Sequence, residues 1–196
     1  MNKKHSFLAW NIHVPPQYES LLFETKAIDF RMSSTKETGA LLRVLAGIKP
    51  VGNFLEIGTG TGLSACWLLD GMDSTSKLTT IDIDQKVIGI ASKYLEKDNR
   101  ISILCMDALA YLESNTAKYD LIFADFRPGK FTRLDLAISA LNSGGIYVVD
   151  DLLPQDTWPE GHSERIENFR QEISDYPNIA YVFLNWDSGL LIASKK

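Results

Sequence analysis

Features that direct a protein to a membrane, to nucleic acid or into an oxidising compartment are scarce in this sequence. Its 196 residues include only two cysteines, Cys66 and Cys105, each in an apolar pattern. We therefore expect buried free thiols in a reducing cytoplasm rather than a disulfide or a metal site. No apolar run approaches the roughly 18 residues of a membrane span, and nothing resembles a signal peptide. The formal net charge is -5, with no block of Lys or Arg to offset it, so neither a membrane nor a nucleic-acid partner is expected.

Apolar runs alternate with helical patterns from Phe54 to the C-terminus. The alternation predicts an α/β fold: a Rossmann-like, doubly wound, mostly parallel sheet with helices on both faces and a C-terminal antiparallel strand pair. We predict one domain over residues 1–196, in which residues 1–50 form an N-terminal helical cap after an irregular start. The predicted strands are 54–57, 78–82, 101–105, 119–124, 145–149, 179–184 and 190–193, and the later helices are 63–70, 84–96, 108–113, 131–141 and 163–175.

The stretch that organises the chain is residues 56–62, Glu-Ile-Gly-Thr-Gly-Thr-Gly, between the first predicted strand and a helix. Such a turn lets the backbone approach a ligand closely, because glycine has no Cβ. Asp82 ends the second predicted strand about twenty residues later, where an acid commonly accepts hydrogen bonds from a ribose. A dinucleotide fingerprint would place its third glycine one residue further on, and Glu56 would repel a pyrophosphate. The motif therefore argues against a dinucleotide.

Acidic residues recur after five consecutive predicted strands. In parallel sheets, ligands bind outside the carboxyl ends of the strands, where these acids should gather. An acid after a strand can also be only a cap for the next helix, and for Asp107 the two interpretations are evenly matched. Five acidic positions at one edge favour a cationic or hydroxyl-rich ligand. These positions are Glu56, Asp82, Asp107, Asp125 and the pair Asp150-Asp151.

Residues 56–62 resemble motif I of the S-adenosylmethionine-dependent methyltransferases. With residues 119–125 and 144–151, the chain from about Ser33 onward is similar to the O-methyltransferases of the catechol and caffeoyl-CoA type. The resemblance implies that Ser64 holds the cofactor's carboxylate, Asp82 its ribose, and Asp125 its amine. It implies a cofactor-binding set made of Glu56, Gly58, Thr59, Gly60, Ser64, Asp82, Asp107, Ala108 and Asp125.

The same resemblance implies a divalent metal, Mg²⁺ or another such ion, held by Asp125, Asp150 and Asp151. Family members usually have Asp-Asn where this chain has Asp150-Asp151, but a second aspartate still offers hard oxygen ligands. Lys130 is the candidate general base or metal-site neighbour, together with Asp125 as a catalytic residue. Its spacing from Asp125 differs from the family pattern, so a solvated lysine at the start of a helix is the alternative.

The implied activity is O-methylation of a small hydroxylated acceptor, such as a phenol or catechol. Two alternatives stay open: a metal-independent methyltransferase acting on another atom, and a non-catalytic protein that binds S-adenosylmethionine. We expect the N-terminal segment and residues 152–162 to form the wall of the acceptor pocket, where Trp158 and His162 are either acceptor contacts or parts of a stiff cover. A homodimer is left open.

Overall fold

The computed structural model of the chain describes residues 12–155, 158 and 160–196. Helices and strands alternate through most of this part, as the sequence pattern predicts. Among the residues described, none of the helices is both long and apolar enough to span a membrane. The elements are α1 Tyr18–Ala27, α2 Lys36–Gly47, β1 Asn53–Ile57, α3 Leu63–Gly71, β2 Lys77–Asp82, α4 Gln85–Leu95, β3 Ile101–Cys105, α5 Ala108–Ser114, β4 Tyr119–Ala124, α6 Leu134–Ala140, β5 Leu141–Val149, α7 His162–Ser174, β6 Ile179–Leu184 and β7 Leu190–Lys195.

One sheet holds all the strands in the described part of the chain, in the order β3-β2-β1-β4-β5-β7-β6. The first five strands along the chain pair in parallel, whereas β7 runs antiparallel to both β5 and β6. The predicted mostly parallel, doubly wound sheet with a C-terminal antiparallel pair is therefore confirmed. Since β1 and β4 are neighbours at the centre, their carboxyl ends place Glu56 and Asp125 at the same edge of the sheet.

The central strands are covered on both faces, because the parallel crossovers place helices on each side. Phe54 and Leu55 are adjacent in β1, yet both are fully buried, in separate clusters of apolar side chains. On one face, α3 contributes Trp67, against which α1 packs through an edge contact of Tyr18 with ring centroids 5.6 Å apart. On the other face, the α7 side chain Phe169 is buried.

Some element boundaries differ from the prediction. Helix α6 begins at Leu134 rather than near residue 131, because Arg133 adopts a left-handed φ of 56°. Strand β5 begins at Leu141, with a shift in its register to β4, rather than at residue 145. Helix α2 begins after Thr35, whose hydroxyl caps it by accepting a hydrogen bond from the Thr38 N–H at 3.1 Å.

The two cysteines differ in their surroundings. Cys66 in α3 is buried as predicted, and burial raises the pKa of its thiol. The prediction of burial was wrong for Cys105, which is exposed. Strand β3 lies at the edge of the sheet, where an apolar pattern does not guarantee cover on both faces.

Candidate active site

The glycine turn between β1 and α3 lies over the end of β2. The N–H groups of Gly58 and Thr59 donate to the Ile81 carbonyl oxygen at 2.9 and 3.1 Å. Gly58 and Gly60 have φ angles of 104° and 51°, a region that L side chains rarely adopt. A Cβ added to Gly58 would lie 3.1 Å from the Asp125 carbonyl oxygen. The glycines therefore allow the turn to lie close to the neighbouring strand end.

A pocket opens directly above this turn, between it and the segment that joins α1 to α2. Six residues of the predicted cofactor set contribute to its wall: Gly58, Thr59, Gly60, Ser64, Asp82 and Asp125. The wall also contains residues that the sequence did not single out, several of them apolar. They are Phe30, Met32, Ser33, Ser34, Thr61, Leu63, Ile83, Asp84, Val87 and Phe126.

Asp82 connects the end of β2 to the glycine turn. Its Oδ2 accepts a hydrogen bond from the Gly60 N–H at 2.8 Å, and its Oδ1 accepts one from the Asp84 N–H at 3.0 Å. A carboxylate oxygen has more than one lone pair, so both atoms can accept further bonds from a ligand hydroxyl. The position fits the predicted contact with a ribose.

Glu56 lies beneath the turn and is fully buried. Its Oε2 accepts a hydrogen bond from the Thr80 hydroxyl at 2.5 Å, and Thr80 in turn lies 2.6 Å from the Thr59 hydroxyl. Its Oε1 has no hydrogen-bond partner among the described residues. Burial raises the pKa of Glu56 to about 7, although the Ser64 and Thr80 hydroxyls act to lower it. A buried carboxyl group with a free oxygen is therefore available below the pocket floor.

Asp107 and Ala108 are not part of the pocket wall. The Asp107 side chain accepts a hydrogen bond from the Ala110 N–H at 2.9 Å and so caps α5. This is the helix-cap alternative considered for Asp107. Contact of the pair with an adenine stays a prediction.

Lys130 is buried, with 3% of its surface exposed. Its ammonium group donates to the main-chain carbonyl oxygens of Asp150 at 2.5 Å and of Asp151 at 3.4 Å. It also lies 4.6 Å from the centre of the Phe131 ring. Burial lowers the pKa of Lys130, while the charges of Asp125, Asp151 and Asp150 oppose that change. The alternative of a solvated lysine at a helix start was therefore wrong.

The three predicted metal ligands lie near Lys130, but their side chains have protein partners. Asp125 Oδ2 accepts a hydrogen bond from the Ser34 hydroxyl at 3.4 Å. Asp150 Oδ1 accepts from the Ser188 hydroxyl and from the Asp151 N–H. Burial raises the pKa of Asp125, and the Asp150 carboxylate adds to the effect. Burial likewise raises the pKa of Asp150.

Asp151 has a left-handed φ of 61°, and its side chain contacts the loop that follows it. Its Oδ1 accepts a hydrogen bond from Trp158 Nε1 at 2.7 Å, and its Oδ2 lies 3.7 Å from His162 Nε2. Among the described residues, no group of three or more His, Cys, Asp or Glu side chains is arranged to hold a metal ion. The donor set around Lys130 does not fit a divalent cation, and the metal assignment stays a prediction.

A model of the O-methyltransferase family matches residues 19–196 of the sequence. The chain belongs to the O-methyltransferase family. This confirms the resemblance that residues 56–62, 119–125 and 144–151 carry. A candidate O-methyltransferase of Mycobacterium ulcerans is 33% identical over 135 residues, an alignment that covers 63% of this chain and 58% of the relative.

Solved structures share the fold at low sequence identity. The O-methyltransferase from Bacillus cereus in complex with SAH has a TM-score of 0.83 and 23% identity, covering 95% of this chain and 94% of the other. TomG from Streptomyces achromogenes, an O-methyltransferase of tomaymycin synthesis in complex with SAM, has a TM-score of 0.82 and 18% identity. The coverage there is 95% of this chain and 92% of TomG. At these identities the likeness establishes the fold alone.

In this O-methyltransferase family member, Trp158 and His162 stack on each other, with ring centroids 4.4 Å apart. His162 also makes an edge contact with Phe131 at 5.1 Å. Burial lowers the pKa of His162, and the nearby Lys130 charge lowers it further. Both side chains are thus engaged with protein partners, and their contact with an acceptor stays a prediction. Residues 1–11, 156, 157 and 159 of the predicted acceptor wall lie outside the described residues.

Sequence reasoning missed the turn between β6 and β7 as a part of this family member's site. Asp187 Oδ2 accepts hydrogen bonds from the hydroxyls of Thr38, at 2.8 Å, and of Thr35. Ser188, the next residue, donates to Asp150. The turn therefore joins the start of α2 to the end of β5. The sequence indicated only a hairpin turn there. Asp187 and its threonine partners are about 150 residues apart in the chain, and Ser188 and Asp150 are 38 residues apart.

Proposed function

We propose that this protein transfers a methyl group from S-adenosylmethionine to an oxygen atom of a small hydroxylated acceptor, such as a phenol or catechol. The arrangement that carries the proposal is the glycine turn with Asp82 fixed to the Gly60 N–H and Glu56 buried beneath it. That arrangement offers carboxylates to a ribose and to a cationic group, both of which S-adenosylmethionine carries. Membership of the O-methyltransferase family supports the same conclusion.

In the proposed complex, Asp82 accepts hydrogen bonds from the ribose hydroxyls and Ser64 donates to the cofactor carboxylate. Glu56 and Asp125 face the positive charge of the amine. We also retain Gly58, Thr59 and Gly60 as cofactor contacts, and Asp107 with Ala108 as neighbours of the adenine. The exposed apolar side chains of Met32 and Phe126 in the pocket wall support an aromatic acceptor.

The chemical step breaks the sulfonium–methyl bond and forms an oxygen–methyl bond in line with it, while the acceptor hydroxyl loses its proton. Holding the two reactants in that geometry supplies on the order of 7–11 kcal/mol of the barrier reduction. Asp125 lies in the pocket wall, and a carboxylate there can accept the hydroxyl proton. Lys130 is held by two carbonyl oxygens and lies in the field of the Asp125, Asp150 and Asp151 carboxylates, which supports a charge-balancing role rather than that of a base.

We keep the single domain of residues 1–196 with a helical cap over residues 1–50 as part of the proposal; the packing of α1 against α3 through Tyr18 and Trp67 supports it. The charge and composition of the sequence support a cytoplasmic location without nucleic-acid or membrane partners. Dimerisation is a question for sedimentation analysis.

Calorimetric titration with S-adenosylmethionine tests the cofactor assignment. Asp82→Ala and Gly60→Val should each weaken binding at least tenfold, while Asp135→Ala, an exposed acid at the start of α6, should leave it unchanged. Equal affinities for all four proteins would contradict the assignment. A panel of phenols and catechols then tests turnover by detection of methylated product. Tight cofactor binding with no product from any acceptor would favour the non-catalytic alternative.

A further inference from the structure

We propose that the Lys130 ammonium group occupies the position and the role of a divalent cation in this site, so that methyl transfer proceeds without a metal ion. The inference rests on the proposed function and assigns one residue of the site a role that the family resemblance does not imply. It follows from how Lys130 is held, which atoms it contacts and which partners the nearby acids already have.

The loop that carries Lys130 is fixed by hydrogen bonds to its main chain and by close packing at Gly129. Gly129, the preceding residue, has a left-handed φ of 78°, and a Cβ there would lie 2.8 Å from the Ile57 side chain. The Tyr147 hydroxyl donates to the Gly129 carbonyl oxygen at 2.5 Å, and the Phe131 N–H donates to the Arg127 carbonyl oxygen at 2.8 Å. The lysine is therefore a built part of the site and does not sample solvent as a surface side chain would.

The atoms that Lys130 contacts are hard oxygens of the kind a divalent ion would need. Its Nζ donates hydrogen bonds to the carbonyl oxygen of Asp150 at 2.5 Å and to that of Asp151 at 3.4 Å. A metal ion brought to the same oxygens would meet an ammonium group at contact distance, where like charges repel by several kcal/mol in a site shielded from water. The lysine and a divalent ion are thus alternatives at this position.

The nearby carboxylates are held in place by hydrogen bonds from the protein and do not need a metal ion to fix them. Ser188 and the Asp151 N–H bind Asp150, whereas Trp158 binds Asp151. Three carboxylates near one another would still repel, and the Lys130 charge acts on all three. One buried ammonium thereby offsets the repulsion that a divalent ion was predicted to offset. We describe Lys130 as a positioning residue, since it acts on the reaction through these acids.

The proposal is tested first on the wild-type protein. Elemental analysis should find no divalent metal bound, and Mg²⁺, Mn²⁺ or Ca²⁺ should leave the melting temperature unchanged in the presence of S-adenosylmethionine. Turnover should be the same in EDTA and in Mg²⁺. Stoichiometric metal, a metal-dependent rise in melting temperature, or turnover that chelation abolishes and Mg²⁺ restores would overturn the proposal.

The Lys130→Met variant removes the charge and keeps most of the apolar stem. Its acids are then left without a cation, so Mg²⁺ should raise its melting temperature by several degrees although it does not affect the wild type. A variant that folds and shows no response to Mg²⁺ would also overturn the proposal. The matched control is Lys195→Met, which removes an ammonium that donates to the Leu141 and Ile138 carbonyl oxygens at 2.9 and 3.0 Å. It should show no response to Mg²⁺.

If Lys130→Met fails to fold, the metal measurements on the wild-type protein decide alone. Lys130→Arg, which keeps the positive charge, should then fold and show no response to Mg²⁺. Calorimetric titration of S-adenosylmethionine in EDTA separates this inference from the proposed function. Absence of cofactor binding with or without metal would defeat the proposed function. Binding that needs Mg²⁺ would defeat only the role given to Lys130.

Discussion

The buried Glu56 carboxyl should make the stability of the protein depend on pH in a direction that the structure fixes. Burial raises its pKa in the folded state to about 7, against an ordinary value of 4.5. The folded state therefore binds the Glu56 proton more tightly than the unfolded state does. The resulting stabilisation is fully present below about pH 4.5 and is lost as the pH rises through about 7.

The size of the effect follows from that pKa difference, which corresponds to about 3 kcal/mol. A glutamine at position 56 cannot ionise, so Glu56→Gln should not lose this stabilisation. The substitution also changes the hydrogen bond with Thr80, but that cost does not depend on pH. Comparing the two proteins at two pH values therefore isolates the titration of Glu56.

Urea unfolding at about pH 5 and about pH 8 is the assay, with no cofactor present. The free energy of unfolding of Glu56→Gln should gain about 2.5 kcal/mol relative to wild type between these two pH values, slightly less than the full effect because the lower pH lies above the unfolded pKa. Glu96→Gln, at an exposed position after α4, is the matched control and should follow the wild type. An unchanged difference between wild type and Glu56→Gln at the two pH values would refute the reasoning. Adding S-adenosylmethionine should reduce the effect, because its amine supplies a charge that favours ionised Glu56.

Further predictions concern packing and the turn. Gly62→Ala should cost about 1–3 kcal/mol in urea unfolding, because φ is 93° and the new Cβ would lie 3.0 Å from that of Ala91. Gly144→Ala should reduce the free energy of unfolding by less. Its φ of 72° is also strained for alanine, but no atom lies close enough to clash with the new Cβ. Trp67→Ala should cost about 3–5 kcal/mol, since the side chain is buried between helices, and a cost below 1 kcal/mol would contradict this packing. Asp187→Ala should weaken cofactor binding in calorimetry by releasing Thr38 and the start of α2, and unchanged binding would contradict a link between the turn and the pocket.

Much of the fold could be predicted because periodicity reports burial. The continuous apolar runs of β1 and β4 predicted strands covered on both faces, and both strands are covered. The pocket around Gly60 and Asp82 was predictable for a related reason. The glycine turn directly follows β1, and Asp82 ends β2, which pairs with β1 in parallel. Local geometry and this one pairing are therefore enough to place Gly60 next to Asp82.

The surroundings of Lys130 could not be predicted, because they depend on contacts between distant parts of the chain. Its carbonyl partners, Asp150 and Asp151, directly follow β5, and the side-chain partner of Asp150 is Ser188, in a turn 38 residues further along. A lysine after a strand is ordinarily solvated. Lys130 is buried because the loop around Gly129 folds it against the rest of the protein, which the sequence does not indicate. The exposure of Cys105 depended in the same way on which strand forms the edge of the sheet.

The contrast between the two cysteines gives the protein a single thiol that reagents can reach. Cys66 is buried and its pKa is raised, so a maleimide dye should react with Cys105 alone. The Cys105 sulfur lies 3.8 Å from the carbonyl oxygen of Ile83, a residue of the pocket wall. A fluorophore attached there would report on ligand entry without any engineered mutation. The same accessible thiol makes reducing agent necessary during purification, since two molecules could otherwise join through it.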